Sequence, residues 1–554
     1  MSATALAVVL TTMGAACGDD SSSDARDGQL SAPAAERPPD NPFLADSVAP
    51  IGHIDSAQSD STAVAGPTGP TSELGAGDLQ YTHLGPGHFG LAISPEYDDG
   101  SRVIWSNGGD RISKLDAATL EVLAELPVPG KTLMTEAAAD DVVTTLDAQR
   151  GAELADTSLA LTAQYLTGLA GVYYLLDRDN TLFVGGAESI VAYHDVEPGN
   201  PASPIEVRDS WPKPPEVGGV FVGANMTYDG RIVAVTDEGW VVAVTRDFSS
   251  YGAVQLVGAE VARQHNLDVV AAGQRPGAAS WVRNSAAVDD EGGIYVPSVD
   301  HMHKVVWDGE RLSTDPADGA WVAEYRNGTG IGSGATPTLM GFGDEDRFVV
   351  ITDGDRLMNV VLFWRDDIPE GWEQLDGAPS SRIAGQAAAD MDDPELEAIQ
   401  SEQSVVVSGY GALVVNNEPA SVPDGYPPAG IRSLVGHSGN DPAFAPHGVQ
   451  KFAWDPEGRE LREAWVTQEV SSANAVPIVS SGSDTVYTVG SRDGEWALEG
   501  IDWSTGESRF HWVTGSARYN TLFSGVFIDE DGRVLHTTAF GIVRYLGADG
   551  SDDG

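Results

Sequence analysis

Apolar runs at strand-like spacing, each closed by an Asp- or Gly-rich turn, fill most of the chain. They group into a unit that recurs about every 50 to 60 residues: an apolar strand, a turn, a second apolar strand, another turn, and a third strand ending in a charged turn. Eight copies can be read: "HFGLAISPEYDDGSRVIWSNGGDRISKLDAATLEVLAEL", "GVYYLLDRDNTLFVGGAESIVAYHD", "NMTYDGRIVAVTDEGWVVAVTRD", "NSAAVDDEGGIYVPSVDHMHKVVWDG", "PTLMGFGDEDRFVVITDGDRLMNVVLFWRD", an interrupted copy from "SVVVSGYGALVVNNEP" to "VQKFAWDPEGRELREAWV", "NAVPIVSSGSDTVYTVGSRDGEWALEGIDWSTGESRFHWV" and "TLFSGVFIDEDGRVLHTTAFGIVRYLG". Such a repeat predicts an all-β fold, a seven- or eight-bladed β-propeller, with eight blades favoured. The last copy ends after its third strand, and "GDLQYTHLG", just before the first, can supply the missing outer strand and close the ring.

Two segments break the rhythm. Residues 134–170 have helix-forming composition, and residues 402–446 place a long loop inside one unit. Insertions of this kind lie at the faces of a propeller and cap its channel. Ahead of the repeat, Ala3 to Met13 form a short apolar stretch followed by Gly14-Ala15-Ala16-Cys17, the order of a secretory signal. Residues 18–76 are rich in Asp, Ser, Pro, Ala and Gly and read as a flexible tether. The stretch "NPFLADSVAPIGHIDSAQSDST" within it is less simple than a linker, and the alternative for it is to lie along the folded body. The expected organisation is thus signal 1–17, tether 18–76, propeller 77–546 and acidic tail 547–554.

Charge narrows the function classes. With 83 acidic and 31 basic residues the formal charge is −52, which repels a phosphate backbone and argues against nucleic acid as a partner. It also favours solubility in high salt and attraction of divalent cations. Cys17 is the sole cysteine, so the monomer has no intramolecular disulfide, thiolate metal cluster or covalently attached haem.

Residues Gly14 to Cys17 resemble a bacterial lipobox, which implies lipidation of Cys17 and an extracytoplasmic protein anchored to a membrane; an ordinary cleaved signal, giving a periplasmic or secreted protein, is the alternative. "GIDWSTGESRFHWVTG" resembles the repeat of quinoprotein-like (PQQ-repeat) propellers, with Asp502, Thr505, Gly506 and Trp512 at the places that tie the outer strands together, and a weaker copy around Asp116 and Thr119. The resemblance implies oxidoreductases or assembly scaffolds. Quinone-dependent oxidation is disfavoured, because the adjacent cysteine pair of the methanol and glucose dehydrogenases is missing. "VRNSAAVDDEGGIYV" resembles gluconolactonase-type calcium propellers, with Asn284 and Gly292 at the matching spacing.

Polar residues just before the innermost strands converge on the axis of a propeller, and here they include His88, Asn225, Asn284, Thr336, Asn474 and Asn520. Carbonyl oxygens of Asn225, Asn284, Asn474 and Asn520 suit calcium. His88, His301, His303 and His447 are the candidate catalytic bases; His301 and His303, two apart on a strand, share a face. His437, Asp441 and His447 in the long loop are candidates for a lid. Recurrent tryptophans at blade strands read as packing. G-x-S-x-G, HExxH, Walker and dinucleotide motifs are absent from supporting contexts. The expected function is small-ligand binding or calcium-assisted hydrolysis in the channel; a protein-binding scaffold of the cell envelope is the alternative, with a quinone-dependent oxidoreductase or a polysaccharide lyase behind it.

Overall fold

The structure, a computed structural model, describes residues 37–547 apart from 166–170, 274–278, 344–345, 427–431, 433–434, 436–438, 473–474 and 522. Cys17 and the signal segment lie outside the described residues.

Eight sheets form among the described residues, one for each repeat unit, so the chain is a β-propeller. Blades 1 to 6 occupy 92–127, 174–212, 221–255, 287–324, 338–388 and 406–467 in order, each an antiparallel sheet of at least four strands. Blade 7 adds short parallel strands at both edges, Ser61–Thr62 on the inner and Ser72–Glu73 on the outer. Blade 8 is closed as the sequence predicts: Leu79–His83 pairs antiparallel with Gly541–Tyr545 as its outermost strand. N- and C-terminal parts of the chain thus share one sheet, which leaves the ring no free edge there.

Blades pack face to face through apolar layers. Phe348 and Trp364 of blade 5 meet Tyr410 and Trp454 of blade 6 in one such layer, with the Phe348 and Trp454 rings 4.7 Å apart. The recurring tryptophans are packing residues, as expected: Trp105, Trp307, Trp364 and Trp454 are all buried. Gly506, in the turn of the quinoprotein-like motif, has φ +77°, and a Cβ there would run into Trp465 of blade 6.

A cation on the third strand of several blades ties it to the next. Lys114 donates to Ser203 O of blade 2 at 2.8 Å, Lys451 to Trp503 O of blade 7 at 2.6 Å, and Arg544 to Ala118 O of blade 1 at 2.9 Å. Each also lies beside an aspartate or an indole ring, which offsets the cost of burying the charge.

Within the segment read as a tether, the stretch 41–62 lies along the folded body, the alternative held for it. From Asn41 on it is packed against the ring, with Ala49, Ile51, Ala57, Gln58 and Asp60 buried. Its small polar residues are those of a linker, but the same small size lets its backbone approach the crowded axis.

Candidate functional site

In an antiparallel blade the first and third turns lie at one end, while the second turn and the crossing to the next blade lie at the other. The three α-helices and the loop 416–448 of blade 6 fall on the second kind of connection, which makes the two ends of the ring unlike. The turn end is sealed by residues 49–60. Backbone N–H groups of six innermost strands donate to it in turn: Ile93 to Ala49 O (2.8 Å), Leu176 to Pro50 O (2.9 Å), Val288 to Ser56 O (2.8 Å), Leu339 to Ala57 O, Val407 to Ser59 O and Val479 to Asp60 O (3.0 Å each). These N–H groups sit on the unpaired axial edge of each sheet, and the segment satisfies them where water otherwise would. Coiling so tightly requires positive φ at Ile54 (73°), Gln58 (61°) and Asp60 (51°), a strain that the surrounding ring imposes.

Within this plug His53 Nδ1 lies 2.9 Å from Asp60 Oδ2, and both residues are buried. Burial opposes the His53 charge, but the Asp60 carboxylate outweighs it and raises the imidazole above its ordinary range. Asp55 caps Ser59 N at 3.2 Å, and burial pushes its carboxyl up to about 6. The His53 ring stacks on Tyr173, whose hydroxyl crosses from blade 2 to Thr336 of blade 5 at 3.2 Å. Leading into the innermost strands of their blades, Arg283 of blade 4 pairs with Glu402 of blade 6. Gln403, 1% exposed, has no hydrogen-bond partner on either side-chain amide atom. The axis is therefore closed at the turn end, and toward the insertion end the Tyr173–Thr336 and Arg283–Glu402 pairs cross between blades.

The residues singled out from sequence are placed as follows. Asn225 is fully buried; its Nδ2 donates to Ser56 O at 2.9 Å and Ala286 O at 2.8 Å, and its Oδ1 accepts from Met226 N. The asparagine thus stitches blade 3 to the plug and to blade 4. Asn284 Nδ2 donates to Ser333 O at 3.0 Å, and Asn520 Oδ1 accepts from Thr521 N at 2.9 Å. Asn474 lies outside the described residues. The oxygens of Asn225 and Asn520 each accept from the main-chain amide of the following residue.

His88 is buried against blade 1 and has both nitrogens engaged: Nε2 donates to Leu84 O at 2.9 Å and Nδ1 faces Ser106 Oγ at 2.7 Å. Burial lowers it to about 4. His301 and His303 do share a face, with ring centroids 6.1 Å apart, but on the third strand of blade 4, away from the axis. Asp300 holds His301 at 2.7 Å and raises it, whereas burial drives His303 down to about 3. His447 is half-buried, and burial lowers it too. His437 lies outside the described residues; Asp441, with Phe444, packs against Gly151 at the start of α2. Sequence reading missed His53, Asp60, Tyr173, Arg283, Glu402 and Gln403. The one available signal was the histidine and apolar residues set in the tether.

Helix α1 (Glu136–Ala148) and helix α2 (Gly151–Tyr165) form the helical insertion that the composition predicts, between blades 1 and 2. The hairpin reaches back over blade 8, where Asp147 accepts from Ala517 N at 2.7 Å and Asp140 pairs with Arg518 at 2.7 Å. On its other side α2 packs against Tyr426 and Val435 of the long loop. A third helix, α3 (Ala262–Ala271), follows blade 3.

A β-propeller with an axial plug and a helical cap is the class these features define. No protein-family model matches the sequence. An uncharacterized protein of Archaeoglobus fulgidus is 31% identical over 528 residues, covering 93% of this chain and 91% of its own, and the present chain belongs to the same family. Among solved structures, the quinohemoprotein alcohol dehydrogenase ADHIIG from Pseudomonas putida HK5 superposes with a TM-score of 0.51 at 10% identity, over 92% of this chain and 81% of that one. At that identity the likeness shows the propeller fold alone.

Proposed function

We propose that this chain is an exported binding propeller that takes up a small polar ligand at the insertion end of its axis. The sealed turn end carries the reading: with residues 49–60 closing it, a ligand on the axis enters and leaves by one route. Tyr173, Thr336, Arg283 and Glu402 offer it hydroxyls and both signs of charge. Binding is favoured over hydrolysis, because His88 has both nitrogens engaged and His303 is enclosed away from the axis. In this reading lipid on Cys17 anchors the chain to a membrane.

Thermal melting of the chain from residue 37 onward, screened against sugars, polyols and amino acids, tests the proposal. A stabilising ligand whose shift disappears in Tyr173→Phe or Glu402→Gln supports it. No shift with any compound rejects it. Stoichiometric calcium whose chelation lowers Tm would instead restore the calcium-assisted hydrolase. A scaffold that binds an envelope protein is the second reading, favoured by Val261, Leu267 and Val270, each at least half exposed on or beside α3. Recovery of one partner protein by the wild type and not by Leu267→Asp would favour it.

A further inference from the structure

Three ionisable groups meet in one short coil of the axial plug. His53 Nδ1 lies 3.1 and 2.9 Å from the two oxygens of Asp60, and the Asp55 carboxylate accepts from both the N–H and the hydroxyl of Ser59. Main-chain bonds close the coil on itself, Asp55 N to His53 O at 2.9 Å and Gln58 N to Asp55 O at 3.0 Å. His53 and Asp60 are 7% and 3% exposed. Among the described residues Asp60 has no ion-pair partner but His53, and Asp55 has none. With all three groups ionised, two negative charges therefore share one positive charge in surroundings poor in water. Desolvation and repulsion between the carboxylates both oppose that state, and one further proton makes the coil neutral.

The elements packed around the coil do not supply the missing cation. Blade 2 presents Tyr173, stacked on His53, and the nearby Arg283 of blade 4 is already paired with Glu402 of blade 6. Blade 3 presents Tyr228 beside Asp55, and Asp40, Asp289 and Asp290 add negative charge there, against the more distant attraction of Arg37. Burial raises the carboxyls of Asp55, to about 6, and of Asp60. At His53 burial lowers and Asp60 raises, and the carboxylate prevails. All three groups thus hold protons more firmly in the seated coil than in a released one. Their preference for the seat is present at low pH and is lost as pH rises, through about 6 for Asp55 and above 6.5 for His53. The positive φ angles of Ile54, Gln58 and Asp60 add strain that release would relieve.

We propose that residues 53–60 are a pH-operated plug, seated while protonated and lifted from blades 4, 5 and 6 when deprotonated, which opens the turn end of the axis. Its two sides stay fixed: Ala49 and Pro50 remain bonded to blades 1 and 2, and Ser61–Thr62 remains paired with blade 7. This goes beyond the polar-ligand reading, because the plug's own hydrogen bonds report on it and no ligand is needed.

Hydrogen exchange of the full chain, resolved to single amides and corrected for intrinsic rate, would be followed from pH 5.5 to 8.5. Val288, Leu339 and Val407 donate to Ser56, Ala57 and Ser59 of the coil, so their protection should fall at least tenfold over that range. Ile93 and Leu176, which donate to Ala49 and Pro50, should keep theirs. Asp55→Asn removes one carboxylate and should shrink the fall below threefold, whereas His53→Gln removes the cation and should move the fall to lower pH. The two variants act in opposite directions, so misfolding cannot mimic the pair. Protection independent of pH, an equal fall at Ile93 and Leu176, or an unchanged profile in Asp55→Asn would each overturn the proposal.

Discussion

Asn225 donates both amide hydrogens to main-chain oxygens, one in the plug and one in blade 4, and accepts an N–H with its oxygen. Alanine there leaves the Ser56 and Ala286 carbonyls buried without that donor, which costs about 2 to 4 kcal/mol, read as a lower urea midpoint at unchanged slope. Sequence shows an asparagine at a loop-to-strand junction and cannot say whether its oxygen meets a cation or an amide. The same limit applies to His88, whose two partners, Leu84 O and Ser106 Oγ, are fixed by tertiary packing. Asp55 supplies a pH prediction at this scale. Its carboxyl is raised from 3.8 to about 6 in the folded state, so the folded protein binds more protons than the unfolded chain between those values. Stability from this group is therefore fully present below about pH 4 and is lost as pH rises through about 6. His53, also raised, acts in the same direction: its contribution is present below its ordinary value and lost as pH rises through the folded one. Asp55→Asn should flatten the fall in unfolding free energy between pH 4 and 7 relative to wild type, measured by denaturant titration at each pH; parallel curves would show that Asp55 does not titrate in that window.

Strands, turns and the closing strand were legible because their signals are local. Apolar alternation places the blade strands, Asp and Gly mark their turns, and a last unit short by one strand points to "GDLQYTHLG" as its complement, found at Leu79–His83. Helical composition likewise located α1 and α2. The axial plug was not legible, because its partners are backbone amides of six different blades, which leave no side-chain pattern in the sequence. Crowding at the axis selects small residues, and small residues are also what a disordered linker contains. The structure makes the difference testable. Ala57 is 1% exposed and packed among blade 4 and blade 5 side chains, so Ala57→Glu buries a charge or expels the segment, lowering stability by about 3 kcal/mol or more. Asn225→Ala acts on the same segment. The double variant should therefore lose less than the sum of the singles, by more than about 0.5 kcal/mol in a double-mutant cycle; strict additivity would mean that the segment is not released as one unit.

For the whole molecule the dominant long-range term is charge. The formal charge of −52 is spread over a closed ring, and several of the few cations are not at the surface: Arg111, Lys114, Arg365, Lys451 and Arg544 are buried, most of them serving as ties within or between blades. The exterior is thus left to carboxylates that repel one another, which destabilises the compact state and is relieved by screening. Screening length falls from about 10 Å at 0.1 M salt to about 3 Å at 1 M, so Tm should climb steeply as sodium chloride rises to a few tenths molar and then level off. Buried pairs such as Lys114 with Asp195 are screened little and do not offset that gain. Scanning calorimetry from 0.05 to 2 M sodium chloride, repeated with choline chloride, separates the causes. Equal curves with both salts identify screening of the surface carboxylates. A continuing rise with sodium alone would instead mean that the acidic surface holds cations at defined positions, and a flat curve would mean that the blade-to-blade apolar layers so dominate that repulsion among the carboxylates does not register.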